Sequence, residues 1–93
     1  MIPRISKKRA NELLNRIKDY EQNIKMIEDK GYKNGTWILD ENSNIPLRMG
    51  YGLCWSGYQQ AFVIGCMDLN NEYNTAVPIY RPKDNYWAKI IKI

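Results

Sequence analysis

The sequence predicts an α+β fold: one long N-terminal helix packed on a four- to five-stranded antiparallel sheet. Two observations carry this. Between residues 7 and 29, Ala10, Leu13, Ile17, Tyr20, Ile24 and Ile27 recur at alternating spacings of three and four, the stripe by which a helix buries one side. From Thr36 onward the apolar period shortens to two or to short runs separated by turn residues, which is strand and hairpin patterning. A chain of 93 residues supplies one modest core, so residues 1–93 read as a single domain, with helix at 7–29 and sheet at about 36–93.

The helix has signals at both ends. Ser6 is placed to accept a first-turn N–H, and Gly31 suits the left-handed position that ends a helix, letting Tyr32 close over Ile27. Leu14 widens the apolar stripe, while Glu12, Arg16, Lys18, Asp19 and Gln22 belong in water. Twenty-three helical residues reach roughly 35 Å, whereas a compact chain of this size is roughly 30 Å across. One end of the helix is therefore expected to overhang.

Five strands are expected, at 36–41, 47–55, 58–67, 75–81 and 86–93. The links at 41–44, 68–74 and 82–85 are rich in Asn, Asp, Ser and Pro, and Ser56-Gly57 reads as a tight hairpin loop. Links this short join antiparallel neighbours. Pro46 and Pro78 belong at strand ends or edges, because proline cannot donate to a ladder.

Composition excludes several chemistries. With two cysteines and no histidine, neither a disulfide framework, a zinc finger nor a histidine-dependent mechanism is open to the chain. No apolar run approaches the roughly 20 residues that span a bilayer, and no signal-peptide segment follows Met1, so a cytoplasmic protein without membrane partners is expected. No glycine loop able to cradle phosphate precedes the helix. Asp40-Glu41 and Asp68 with Glu72 read as solvated turn carboxylates, and Cys54 and Cys66 as free thiols. The expectation is a non-enzymatic protein with no cofactor and no metal.

Charge is distributed unevenly. Residues 1–18 carry Arg4, Lys7, Lys8, Arg9, Arg16 and Lys18 against Glu12 alone, whereas residues 19–29 carry Asp19, Glu21, Glu28 and Asp29 against Lys25. This gradient opposes the helix dipole, at about 0.3–1 kcal/mol for each exposed charge in a terminal turn. A local rule broken this way marks a candidate site. Arg4, Lys7, Lys8 and Arg9 are accordingly candidates to bind an anionic partner. A two-fold antiparallel homodimer would also set each basic end beside an acidic one. Because the sheet is expected to cover the apolar stripe, such a dimer would have to use another face.

The second candidate region is the stretch from Arg48 to Tyr58. On one continuous strand Tyr51, Leu53 and Trp55 would share a face, with Gly50, Gly52 and Cys54 opposite. Two readings stand side by side: Trp55 and Tyr58 pack the core while the glycines relieve crowding, or Arg48, Tyr51, Trp55 and Tyr58 form a stacking platform with a cation beside it.

Ile, Asn, Lys and Tyr supply 38 of the 93 residues, as expected of an A+T-rich genome such as that of a low-G+C bacterium, its phages or its plasmids. Together these features predict a small binding protein, a phage or mobile-element inhibitor whose partner is a host or defence protein. The alternatives are a nucleic-acid or nucleotide-binding module and a structural homo-oligomer.

Overall fold

The computed structural model describes residues 6–41, 44–50 and 52–93; the candidate residues Arg4 and Tyr51 lie outside that range. Helix α1 spans Lys7–Asp29, the expected bounds. Ser6 Oγ accepts from the Arg9 N–H at 3.1 Å. At the other end Gly31 adopts φ +104°. Its N–H donates to Glu28 at 2.9 Å and the Tyr32 N–H reaches back to Ile27 at 3.3 Å, the paired bonds of a Schellman closure. Tyr32 thereby folds over Ile27, and both enter the core.

The strands are β1 (Trp37–Leu39), β2 (Leu47–Met49), β3 (Cys54–Ser56), β4 (Ala61–Asp68), β5 (Tyr73–Arg81), β6 (Tyr86–Trp87) and β7 (Lys89–Ile91), with a 3₁₀ turn at Pro82–Asp84 before β6. The α+β class holds, and all pairings are antiparallel. The strand count exceeds the expected four or five because two expected strands are each cut in two. Residues 47–55 divide around Gly52, whose φ of +92° redirects the chain between β2 and β3. The last strand divides at Ala88. The loop after Trp55 is also longer than expected. Gly57–Gln60 form a four-residue turn, held by Gln59 N–H donating to Ser56 Oγ at 3.1 Å, with Gln60 at φ +51°.

Strand order is β6-β5-β4-β2-β1-β7, and β3 pairs with β4 beside β2. Although β6 and β7 sit at opposite edges, only Ala88 separates them in the chain. Residues 86–88 pair with β5 (Trp87 opposite Tyr80, Ala88 N–H donating to Ile79 at 2.8 Å), and residues 89–91 pair with β1. One terminal segment therefore serves both edges, curling the meander into a small, partly closed barrel.

Two features tighten it. Gly50 N–H donates to Gly65 at 2.9 Å, an approach with no room for a Cβ at Gly50. Outside, the Arg81 guanidinium grips both carboxylate oxygens of Glu41 at 3.1 Å and both of Asp84 at 2.7 and 2.8 Å, tying the end of β5 to the segment after β1. Pro78, expected at a strand end or edge, instead lies inside β5 opposite Val63 of β4, where the register shifts between Phe62 and Val63.

The core joins Ile27, Tyr32, Ile38, Leu47, Met49, Phe62, Ile64, Val77 and Ile79. A run of aromatic rings crosses it. Trp55 meets Phe62 edge-on at 5.0 Å, Phe62 stacks on Tyr80 at 6.2 Å, Tyr80 on Trp87 at 4.1 Å, and Trp87 on Tyr32 at 5.4 Å. Tyr20 stacks on Trp55 at 6.1 Å, so the helix joins this run near its middle through Tyr20 and near its end through Tyr32.

Candidate functional site

The helix touches the barrel with only part of its length. Ile24, Met26 and Ile27 pack into the core and Tyr20 rests on Trp55 and Phe62. Towards the N-terminus the same apolar face emerges into solvent: Leu14 is 54% exposed and Ile17 50%. The described chain is 50 Å long but only 28 by 20 Å in the other directions, as an overhanging helix requires. Sequence patterning had the sheet covering the whole stripe. The correction is that the barrel covers its C-terminal half and leaves its N-terminal half open, because β1–β7 form a narrow barrel in place of a broad sheet.

Around these apolar residues the charge pattern is as the sequence placed it. Lys7, Lys8 and Arg9 are exposed on the first turn, which contains no acidic residue, and no basic residue neutralises the last turn. Arg9 reaches Glu12 at 3.5 Å, an exposed pair that contributes little. The result is a helix segment with an apolar centre and a cationic start. Leaving Leu14 and Ile17 half in water forgoes part of the roughly 1.5–3 kcal/mol that full burial of each contributes.

The candidate residues of the second region are dispersed. Trp55 is half-buried, held between Tyr20 and Phe62, so it anchors the helix and offers no open platform. Tyr58 stands fully exposed on the turn between β3 and β4. Arg48 lies on β2 with its guanidinium 5.9 Å from the Trp37 ring. The single strand expected over 47–55 does not form, since β2 ends at Met49 and β3 starts at Cys54. Leu53 and Trp55 turn to the core, while Cys54 is exposed. Among the described residues no hydrogen bond, ion pair or ring contact links Lys7, Lys8, Arg9, Arg48, Trp55 or Tyr58 to another of that set.

The rest of the surface offers little reactive chemistry. Burial pushes the Cys66 thiol up to about 11, partly offset by a backbone hydrogen bond at Gly50. Burial likewise raises the Tyr86 phenol to about 12; its oxygen accepts from the Glu41 N–H at 2.9 Å. A groove of about 570 Å³ lies over Gly35, Gly50 and Gly65, with Met67, Arg48 and Tyr73 along it. Among the described residues no group of acidic or cysteine side chains is arranged to hold a metal ion, and no helix is long and apolar enough to cross a membrane.

Leu14 and Ile17 were assigned to the core by periodicity alone. The signal that would have separated them was already present in the length comparison: a helix longer than the globule cannot bury its whole stripe. Comparison with protein-family models, curated protein sequences and solved structures gives no match, so the site is read from its own geometry.

Proposed function

We propose that the chain is a small non-enzymatic binding protein that engages a protein partner through the N-terminal half of α1, acting as a phage or mobile-element inhibitor of a host or defence protein. The observation that carries this reading is the open apolar patch of Leu14 and Ile17 on a helix whose C-terminal apolar residues Ile24, Met26 and Ile27 are already packed in the core. An amphipathic helix presenting such anchors suits an apolar groove, and Lys7, Lys8 and Arg9 favour a groove with an acidic rim. Cytoplasmic residence is part of this proposal and is supported by two free cysteines.

The reading is tested by affinity capture from a bacterial host lysate with the native chain, a Leu14→Glu/Ile17→Glu variant and a Tyr58→Ala variant. A specific protein should be captured by the native chain and by Tyr58→Ala, and lost with the double variant. Equal capture by all three, or none by any, defeats the proposal.

A second reading, nucleic-acid or nucleotide binding, is favoured by the acid-free first turn with its three exposed cations. It requires affinity that falls steeply with salt. Among the described residues no contact joins Trp55 or Tyr58 to that turn, which places this reading second. Absence of binding at low salt eliminates it.

A further inference from the structure

We infer that the open half of α1 also pairs with the same segment of a second copy, antiparallel about a two-fold axis beside Leu14. This rests on reading that segment as a docking surface and goes further by naming an occupant. The apolar positions of this open half, Ala10, Leu14 and Ile17, recur at spacings of four and three, with Leu13 flanking them. The barrel takes the continuation of this stripe at Tyr20, Ile24 and Ile27, so the seam is confined to the segment before Tyr20.

Charge selects the orientation. With the axis beside Leu14, Lys7 of one copy lies level with Glu21 of the second, Arg9 with Asp19, and Glu12 with Arg16, each pair occurring twice. A parallel pair would place Lys7, Lys8 and Arg9 beside their own copies. The gradient that opposes the dipole within one helix thus becomes complementary between two. The segment also needs such support, because a helical stretch of about 12–15 residues without tertiary contacts is marginal in water. About three turns from each copy make a small interface, below the roughly 1,200 Å² of standard complexes. The dimer is therefore weak and concentration-dependent.

Sedimentation equilibrium over a wide concentration range, combined with oxidative cross-linking, tests this. The native chain should shift from monomer to dimer as concentration rises, and Leu14→Glu should remain monomeric with an unchanged circular dichroism spectrum. In a Cys54→Ser background, Leu14→Cys should form an intermolecular disulfide that Asn15→Cys, offset from the seam, does not. Lys7→Glu/Arg9→Glu should weaken the dimer at least tenfold, and adding Asp19→Lys/Glu21→Lys should restore it. A native chain that stays monomeric at every concentration overturns the dimer. So does a dimer indifferent to these substitutions. Either result leaves partner capture through Leu14 and Ile17 to be judged by the lysate experiment alone.

Discussion

The Tyr32 hydroxyl donates to the carbonyl of Ala88 at 2.6 Å, 56 residues further along the chain. Tyr32 is the residue that the helix closure turns inward, and Ala88 is where the terminal segment passes from one sheet edge to the other. The bond therefore fastens the end of α1 to the seam that closes the barrel, and it is buried at both ends.

Tyr32→Phe keeps the ring stack on Trp87 and removes only that donor. Chemical denaturation should show a loss of about 1–2 kcal/mol, the cost of an unmade buried hydrogen bond. The helix should remain folded by circular dichroism.

The two thiols should differ sharply. Cys54 is exposed, whereas Cys66 is buried with its pKa raised to about 11. An aromatic disulfide reagent at pH 8 should titrate one cysteine per native chain and two after denaturation. Cys54→Ser should abolish the native reaction.

Stability should fall at alkaline pH. Cys66 and Tyr86 both have folded-state pKa values above their ordinary values of 9.0 and 10.0, at about 11 and about 12. The folded chain thus holds protons that the unfolded chain releases first, so the contribution is complete below about pH 9 and is lost as pH rises towards 12. Thermal melts should show Tm declining across that window, with a shallower decline in Tyr86→Phe.

Two glycines should respond differently to alanine. A Cβ at Gly50 would sit 2.9 Å from the Gly65 carbonyl oxygen, which is backbone; one at Gly65 meets the Tyr73 ring, with the nearest ring carbons at 2.8 and 2.9 Å. Tyr73 is exposed and can swing away. Gly50→Ala should cost about 2–3 kcal/mol and Gly65→Ala no more than about 1 kcal/mol in denaturant titrations.

Much of the architecture was legible in the sequence because its signals are local. The bounds of α1 follow from Ser6, Gly31 and the Ala10–Ile27 stripe, and the presence of β4 and β5, though not their starts at Ala61 and Tyr73, follows from the apolar stretches within 58–67 and 75–81. The break around Gly52 was not legible, since alternation from Leu47 to Trp55 fits one strand until backbone conformation is known. Packing of Trp55 into the core was one of two readings open to the sequence, but its partners Tyr20 and Phe62 were not legible, because they are distant in sequence and meet only after folding. The charge gradient could be read directly, but its neighbours Leu14 and Ile17 look the same as Ile24 and Ile27 to any test of periodicity. The length comparison predicts that one end overhangs, and the packing of Ile24 and Ile27 into the barrel shows which end it is.

The tyrosines and tryptophans singled out early should divide along the same line. Trp55→Ala removes the ring that Tyr20 stacks on and should cost about 2–3 kcal/mol, less than for a fully buried tryptophan. Tyr58→Ala should change stability by no more than about 0.5 kcal/mol.

Hydrogen exchange along α1 probes the docking surface itself. Amides of residues 10–19 should exchange rapidly in dilute protein and slow at least tenfold when the protein is associated, with a partner or with itself, while β4 and β5 stay equally protected in both states. Identical exchange over residues 10–19 in the free and associated states would contradict the assignment of binding to this half of the helix.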